Sequence, residues 1–273
     1  MSVGYRVRIA IESECSAIKA GNVHPYASFC DLNHAQFVNA ARAIGECVDN
    51  CHGQSVGQIV LLCVHAMIQT TGTNTSLGTI LLMAPLVVAT NRMAKAQSER
   101  NLLQANVRDT LSQLTPEDSR NIYEAIRIAR PGGLGKSVSM DLQAPAPGNI
   151  LDAMQLAASW DDVALQYNSN FELVFGIARR IQIKESSGLS KLDSIRCVQV
   201  ELLSERIDSL IARKQGSVIA KQVQSQASTV VASGPYGSPE YEFAWHRLDN
   251  SLRDERHRGN PGTTADLIAA GLF

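Results

Sequence analysis

Five polar segments interrupt the apolar stretches of this sequence and hold side chains whose types and spacing could do chemistry. They contain carboxylates, amides, hydroxyls, basic side chains and glycines, and they lie at about 18–34, 70–78, 127–141, 158–175 and 258–266. Helix ends offer free N–H groups and the positive end of the helix dipole, which suit phosphate. If the flanking stretches are helices, the five segments together predict an anion site.

The first segment, "IKAGNVHPYASFCDLNH", combines a cation, a histidine and a carboxylate. Lys19 stands at the end of a predicted helix, Gly21 can adopt the left-handed cap conformation, and His24 lies in the following loop. Asp31 precedes the next helix. The alternative is purely structural, with a glycine C-cap followed by an N-cap at Asp31 or Asn33.

The second segment, "TTGTNTS", separates two strongly apolar helices. Gly72 can end the first helix, and Asn74, Thr75 or Ser76 can cap the second one, which begins at Leu77. Capping needs only one such residue, so the surplus of small polar residues favours a binding site.

The third segment, "RIARPGGLGKSVSMD", ends like a phosphate-binding P-loop. The first glycine of that motif would fall at Arg130, however, and no strand precedes it, so we reject a P-loop. What remains is a glycine-rich loop in which Gly132 and Gly133 allow close approach of an anion, with Arg130 and Lys136 beside it. The alternative is a helix terminator with a solvated lysine.

The fourth segment, "ASWDDVALQYNSNFELVF", places acidic side chains among apolar ones. Neighbouring carboxylates repel each other unless water, a proton or a cation offsets the cost. A divalent ion brought by a nucleotide fits Asp161, Asp162 and Glu172, because Mg²⁺ keeps several waters and uses one or two carboxylates. Asp161 can equally cap a helix after Trp160.

The last segment, "RGNPGTTADLIAAGLF", contains Asp266 in the first turn of a short predicted helix. Thr263 or Thr264 is expected to cap that helix.

The intervening elements are predicted to be helices, because apolar residues recur every three or four positions and nothing shows the period of two of a strand. Thr115 and Ser238 are expected N-caps, each followed by proline at the first helical position. We expect an all-α fold, a single compact domain over 1–273 with the polar helix-end loops lining one cleft. The predicted helices cover 5–18, about 34–51, 55–69, 77–93, 99–113, 116–129, 150–183, 190–233, 239–257 and 264–272.

Composition limits the other possibilities. The formal net charge of −1, from 25 basic and 26 acidic residues, argues against a nucleic-acid-binding surface. The charged N-terminus does not resemble a secretion signal, and the longest apolar run, 77–89, is shorter than the roughly 20 residues that span a membrane. We therefore expect a cytoplasmic protein that does not bind membranes.

Six irregularly spaced cysteines favour free thiols over disulfides, and a zinc site at Cys47, Cys51 and His52 is the less favoured alternative.

Five short stretches give the sequence a family resemblance. In order they are "KAGNV", "TGTNTSLG", "ARPGGLG", "NSNFELVF" and "NPGTTADL", and the chain resembles the triphosphoribosyl-dephospho-CoA synthase family over about 8–273. The resemblance implies an all-helical transferase. In the family reaction a ribose hydroxyl of 3′-dephospho-CoA attacks C1 of the ATP ribose, adenine leaves, and the product is a prosthetic-group precursor.

The resemblance also implies roles for the polar residues. Asp31 or Asp266 would activate the attacking hydroxyl or stabilise the cationic sugar, Glu12 would share a helix face with Lys19, and His24 would protonate adenine. Mg²⁺ would bind at Asp161, Asp162 and Glu172. The triphosphate of ATP would bind at Lys19, Gly21, Asn22, Asn74, Thr75, Gly78, Arg130, Gly132, Gly133 and Lys136.

Two departures from the family pattern leave alternatives. Ala20 replaces the proline of a Lys-Pro-Gly motif, and Ser76 and Leu77 replace the His and Lys of an Asn-Thr-His-Lys-Gly motif. The alternatives are a divergent transferase with another acceptor, for example in one-carbon cofactor biosynthesis, and a non-catalytic helical nucleotide-binding or scaffold protein. Homo-oligomerisation stays open.

Overall fold

The structure is a computed structural model that describes residues 1–93, 100–132, 140–253 and 257–273, without the side chains of 100–102. Gly133 and Lys136, predicted to bind phosphate, lie outside the described residues.

The described residues form fourteen helices and no strand, and only an isolated bridge pairs His24 with Ala27. The all-α prediction is confirmed. None of the helices within the described ranges has the length and apolar character needed to cross a membrane. The helices are α1 (Val3–Ser16), α2 (His34–Asn50), α3 (Val56–Thr71), α4 (Leu77–Arg92), α5 (Arg100–Ser112), α6 (Pro116–Ala129), α7 (Ile150–Ala157), α8 (Asp162–Asn168), α9 (Glu172–Ser186), α10 (Lys191–Glu205), α11 (Ser209–Gln215), α12 (Ser217–Ala232), α13 (Pro239–Leu252) and α14 (Gly262–Leu272).

Helix α4 forms the centre of the larger of two apolar clusters. Its residues 79–89 are all buried, as expected for a helix that is apolar on every side. Helices α1, α3, α5, α8 and α14 pack against it. A smaller cluster around Trp245 and Leu248 joins α10, α11, α12 and α13. The loop 17–23 that follows α1 contributes to both clusters, with Ala17 in the larger one and Ala20 in the smaller one.

Capping chemistry explains several helix starts. Thr115 caps α6 in a reciprocal capping box with Asp118, and Pro116 occupies the first turn. Ser238 caps α13 ahead of Pro239 by accepting from the Tyr241 amide. Both predicted N-caps are confirmed, and Asn33, one of the two expected residues, caps α2.

Two long predicted helices are each divided into three, which corrects the sequence-based boundaries. The stretch 150–183 breaks where Asp161 caps α8 and where Asn170 and Phe171 adopt left-handed conformations. The stretch 190–233 breaks where Asp208 caps α11 and where Gly216 has φ +87°. Apolar periodicity continues through these breaks, so periodicity alone did not reveal them.

Three smaller expectations about helix ends are also wrong. Helix α14 begins at Gly262, directly after Pro261, so neither Thr263 nor Thr264 is its cap. Arg130, rather than Gly132, adopts the left-handed conformation that ends α6. Helix α1 ends at Ser16, and Lys19 therefore lies in the loop.

Candidate active site

All five polar segments contribute residues to one cleft of about 520 Å³. The N-terminus of α4, the loop after α1, the end of α6, helices α7 and α8, helix α11 and the start of α14 surround it. Of the predicted site residues, those that line the cleft are Lys19, Asn22, Asn74, Thr75, Gly78, Gly132, Asp161 and Asp266.

Other predicted site residues do not line this cleft: Glu12, Gly21, His24, Asp31, Arg130, Asp162 and Glu172. Glu12 pairs with Arg8 on the outer side of α1, at 2.8 Å. Arg130 and Glu172 are exposed. Helical periodicity placed Glu12 near Lys19, but Lys19 lies beyond the end of α1, so the expected shared face does not exist.

Asp266 lies on α14 and reaches the first turn of α4. Its Oδ1 accepts hydrogen bonds from the Thr79 amide at 2.8 Å and from the Thr79 hydroxyl at 2.6 Å. A Cβ at Gly78 would lie 2.2 Å from Asp266 Oδ2, so only glycine permits this approach. Gly78, predicted to bind the triphosphate, therefore has a packing role toward the carboxylate of Asp266.

The pKa of Asp266 is raised to about 7. The largest cause is the removal of its carboxyl from bulk water at the base of the cleft, and the negative charges of Glu14 and Asp208 add to it. Hydrogen bonds from Thr79 act in the opposite direction. A carboxyl group with a pKa near 7 can both take up and release a proton at neutral pH.

Glu14 forms a buried ion pair with Lys19 beside Asp266. Lys19 Nζ lies 3.0 Å from Glu14 Oε1 and donates to the Glu14 backbone carbonyl at 2.7 Å. The Lys19 side chain is 0% exposed. Burial raises the pKa of Glu14, and the neighbouring charge of Lys19 partly offsets that rise.

Sequence reasoning missed Glu14 and chose Glu12 instead. A usable signal was present, because Glu14 continues the stripe of Val7, Ala10 and Ile11, all of which are buried. A carboxylate on the apolar face of a helix needs a partner, and this one has Lys19. The pattern of α1 therefore pointed to Glu14, rather than Glu12, as the acid that lines the cleft.

The loop that holds Lys19 is fixed by buried amide groups. Gln199 of α10 accepts from the Ala20 amide at 2.9 Å and donates to the Ala20 carbonyl at 2.8 Å. Its Nε2 also donates to Asn22 Oδ1, and Asn22 donates to Asn260 at 2.6 Å. Gly21 has φ +70°, as predicted for a left-handed position. These contacts join the first and last polar segments.

His24 is not suited to the predicted role of proton donor. Its pKa is lowered to about 4, first by burial and then by the charge of Arg253. Its Nδ1 accepts from the Tyr26 amide, and its Nε2 lies 3.2 Å from Arg253. Because its pKa is lowered and its ring does not line the cleft, His24 does not fit the predicted role of protonating adenine.

The N-terminus of α4 is held by the second polar segment. Asn74 Oδ1 accepts from the Leu77 amide at 3.1 Å, whereas Ser76, the N-cap residue by position, makes no side-chain capping bond. Ser76 and Leu77 are buried, at 3% and 8% exposure. Asn74 and Thr75 face the cleft together with Gly78.

Two cations line the other side of the cleft. Arg213 of α11 pairs with Asp161, and Lys214 follows it in sequence. A Cβ at Gly132 would lie 3.6 Å from Lys214 Cε, so the end of the third polar segment adjoins this lysine. Sequence reasoning missed both cations, because α11 was hidden within a long predicted helix.

The three predicted metal ligands are not brought together. Asp161 caps α8 and lines the cleft, Asp162 pairs with Arg206 at 2.6 Å, and Glu172 is exposed at the start of α9. The prediction of a three-carboxylate metal site is therefore corrected, because two of the acids are already neutralised by arginines. Asp161 alone remains next to the cleft.

Apolar side chains form the remaining wall. They include Tyr123, Ile126, Leu142, Met154 and Trp160. Tyr123 donates to the Met140 carbonyl at 2.8 Å, which fixes the end of the third segment. The cleft thus has a charged side and an apolar side, a composition that suits a ligand with both kinds of group.

Comparisons with known proteins identify a family and a related fold. The sequence model of the family described as ATP:dephospho-CoA triphosphoribosyl transferase matches residues 1–273. A search of curated proteins found no match. A solved structure of a candidate triphosphoribosyl-dephospho-CoA synthase from Archaeoglobus fulgidus has the same fold, with a TM-score of 0.61 and 21% identity. That alignment covers 87% of this chain and 94% of the other.

Proposed function

The chain belongs to the ATP:dephospho-CoA triphosphoribosyl transferase family, and we propose that it transfers the 5-triphosphoribosyl group of ATP to a ribose hydroxyl of a dephospho-CoA-type acceptor. The observation that supports this most is the group of Asp266, Glu14 and Lys19 in one cleft with Arg213 and Lys214. The group offers proton transfer, and the two further cations can hold phosphate.

In the proposed reaction the acceptor oxygen forms a bond to C1 of the ATP ribose while the bond from C1 to adenine breaks. The sugar passes through an oxocarbenium-like state. Asp266 takes the proton of the attacking hydroxyl, because its pKa of about 7 matches the task at neutral pH. Glu14, kept in place by Lys19, stabilises the positive charge on the sugar. The acceptor hydroxyl loses one proton and the leaving adenine takes up one, so no net proton is released or consumed.

The triphosphate is proposed to bind at the α11 side of the cleft. Arg213 and Lys214 supply positive charge, and the glycine end of α6 near Gly132 allows close approach. ATP would bring Mg²⁺ as part of the substrate, and that ion would neutralise phosphate charge. Of the predicted metal ligands, Asp161 has the position that fits this Mg²⁺. The ion would compete with Arg213 for the Asp161 carboxylate.

Adenine release tests the proposal directly. The protein is incubated with ATP, Mg²⁺ and dephospho-CoA, and free adenine is measured by chromatography. We expect adenine with the unmodified chain and its loss in Asp266→Asn. Glu172→Gln is the matched control, since Glu172 is an exposed acid away from the cleft. Absence of adenine with every CoA-like acceptor would refute the transfer reaction.

A related transferase with a different acceptor is the second candidate. It is favoured by Ser76 and Leu77, which are buried and uncharged where the familiar family motif has His and Lys. Thermal-shift measurements with Mg–ATP distinguish donor binding from acceptor choice, because a ligand at 100 times its Kd stabilises by about 2.7 kcal/mol. A shift without adenine release points to another acceptor, and no shift points to a non-catalytic scaffold.

A further inference from the structure

Cys30, Asp31 and His257 form a cluster that does not line the cleft. Their sulfur, carboxylate and ring nitrogen atoms all lie within 4.8 Å of one another. Cys30 Sγ is 3.7 Å from His257 Nε2 and 4.0 Å from Asp31 Oδ1, and Asp31 also pairs with His257 Nε2. We propose that these three side chains bind a divalent zinc-type ion at the rim of the cleft.

The donor types select the class of ion. A thiolate and an imidazole prefer zinc or a similar transition metal, whereas Mg²⁺ and Ca²⁺ prefer oxygen donors only. A deprotonated Cys30 and an ionised Asp31 together supply two negative charges, which balance the charge of a divalent ion. Zinc sites with three protein ligands keep a fourth position for water. The exposure of Asp31 leaves room for that position on the solvent side.

The spacing also fits a tetrahedral ion. Zinc lies about 2.3 Å from sulfur and about 2.0 Å from nitrogen, so the two ligand atoms should be about 3.5 Å apart at a tetrahedral angle. The observed separation of Cys30 Sγ and His257 Nε2 is 3.7 Å. Asp31 lies closer to the ring than an ion would allow, but its side chain is 67% exposed and can move outward. Binding would release the thiol proton and would replace the contact between Asp31 and His257 Nε2.

Local contacts already position the ligands. The Phe29 amide donates to the Leu32 carbonyl at 2.8 Å, which closes the turn that carries Cys30 and Asp31. The ring of Phe29 packs edge-on against His257 with a centroid distance of 4.0 Å. The side chain of His257 is only 12% exposed, so its orientation is fixed before an ion binds.

A bound ion would join two chain segments that border the cleft. Leu32, one residue after Asp31, and Asn260, three residues after His257, both line it. Lys214 donates to the His257 carbonyl at 3.4 Å, which connects the cluster to the proposed phosphate side. The ion would therefore brace the rim, and this inference does not depend on the proposed transfer reaction.

Cobalt titration tests the site with a spectroscopic signal that is independent of activity. The full chain is stripped with EDTA and titrated with Co²⁺. One equivalent should produce tetrahedral d–d bands and a thiolate-to-cobalt charge-transfer band. We expect Cys30→Ser to abolish the charge-transfer band. Asp31→Asn and His257→Gln should weaken binding by more than the roughly 10–100-fold that loss of an outer-shell partner costs.

A second thiol group in the chain provides the matched control. Cys47 Sγ and Cys51 Sγ are also 3.7 Å apart, and they belong to the alternative zinc site considered from the sequence. Cys47→Ser should leave the cobalt spectrum unchanged. If Cys47→Ser removes the charge-transfer band and Cys30→Ser does not, or if no tetrahedral cobalt spectrum forms, the proposal is wrong.

Thermal denaturation provides a second readout. Zn²⁺ should raise the unfolding midpoint of the unmodified chain and of Cys47→Ser, but not that of His257→Gln. A Cys30→Ser chain that fails to fold does not remove the test, because His257→Gln and Asp31→Asn alter the same site without changing a thiol. An equal zinc-induced shift in the unmodified chain and in both of these variants would overturn the assignment.

Discussion

Two aspartates in this protein approach the first turn of a neighbouring helix through a glycine, yet their pKa values move in opposite directions. Asp118 of α6 accepts from the Gly57 amide on α3 at 2.7 Å. Asp266 of α14 accepts from the Thr79 amide on α4 at 2.8 Å, next to Gly78. The pKa of Asp118 is lowered, whereas that of Asp266 is raised to about 7.

The two sites differ in the balance between burial and hydrogen bonding. Loss of hydration is the largest upward cause at Asp266, as it is at Asp118. Burial raises the pKa of Asp118, but hydrogen bonds from Ser55, Gly57 and Thr115 outweigh it. Among the residues that the structure describes, Asp266 receives its hydrogen bonds from Thr79 alone and lies near further carboxylates. One arrangement joins helices, while the other holds a carboxyl group with a raised pKa in the cleft.

Replacing each aspartate by asparagine should separate these roles most clearly. Asp266→Asn removes the proposed base and should lower the rate of adenine release by about 10²–10⁴-fold, the range of general acid–base catalysis. Asp118→Asn weakens the α3–α6 connection and should cost about 1–3 kcal/mol of unfolding free energy. Initial rates and denaturant titrations measure both quantities for both variants.

Each of the two substitutions should change mainly one property, activity in Asp266→Asn and stability in Asp118→Asn. Asp266→Asn should remain as stable as the unmodified chain or more so, and folded Asp118→Asn should retain most activity. Equal losses of activity in the two variants would contradict the assignment of Asp266 as a catalytic residue.

The two glycines allow the same comparison through sterics. In Gly78→Ala the new Cβ would lie 2.2 Å from Asp266 Oδ2, so the carboxylate must turn away from Thr79. Misplacing a catalytic group by about 1 Å can cost about 10²-fold in rate. In Gly57→Ala the Cβ would lie 2.5 Å from the Asp118 Cα, and the backbone of α6 must shift instead. That overpacking should cost about 1–3 kcal/mol of stability.

Enzyme assays and thermal unfolding of both alanine variants check this expectation. Gly78→Ala should lose activity while it keeps most stability, and Gly57→Ala should do the reverse. A Gly78→Ala chain with normal kcat and KM would show that the position of the Asp266 carboxylate does not matter.

The pH dependence of stability should have opposite signs at the two sites. Asp266 has a folded pKa above its unfolded value of about 3.9, so its contribution is fully present below that value and is lost as pH rises through about 7. Asp118 has a lowered pKa, so its contribution is present above the unfolded pKa and is lost as pH falls through the folded one. Denaturant titrations between acid and neutral pH measure the free energy of unfolding of each variant. Each asparagine substitution should remove the pH dependence that its own aspartate contributes and leave the other one in place.

The sequence predicted the helices and most of the polar segments, because apolar periodicity and capping residues act locally. Asp266 was predicted, but its partner was not, since Thr79 is 187 residues away. Glu14 was missed in favour of Glu12, although its place on the buried face of α1 was readable. Arg213 was missed because Gly216 and Asp208 break a stretch whose apolar pattern looks continuous.

The smallest expected effect comes from the hydroxyl groups that serve the two carboxylates. Thr79→Val removes the 2.6 Å hydrogen bond to Asp266 but keeps the Thr79 amide and the side-chain shape. The pKa of Asp266 should then rise, and the acid limb of the rate profile should move to higher pH. One hydrogen bond contributes about 0.5–1.5 kcal/mol, and one pKa unit is about 1.36 kcal/mol, so the acid limb should move by about one pH unit or less.

The matched variant Thr115→Val removes the 2.8 Å bond to Asp118. Because the Asp118 carboxylate takes no part in the proposed reaction, this variant should change stability without moving the rate profile. An acid limb that moves in Thr115→Val, or stays fixed in Thr79→Val, would mean that Asp266 does not set the pH dependence of the reaction.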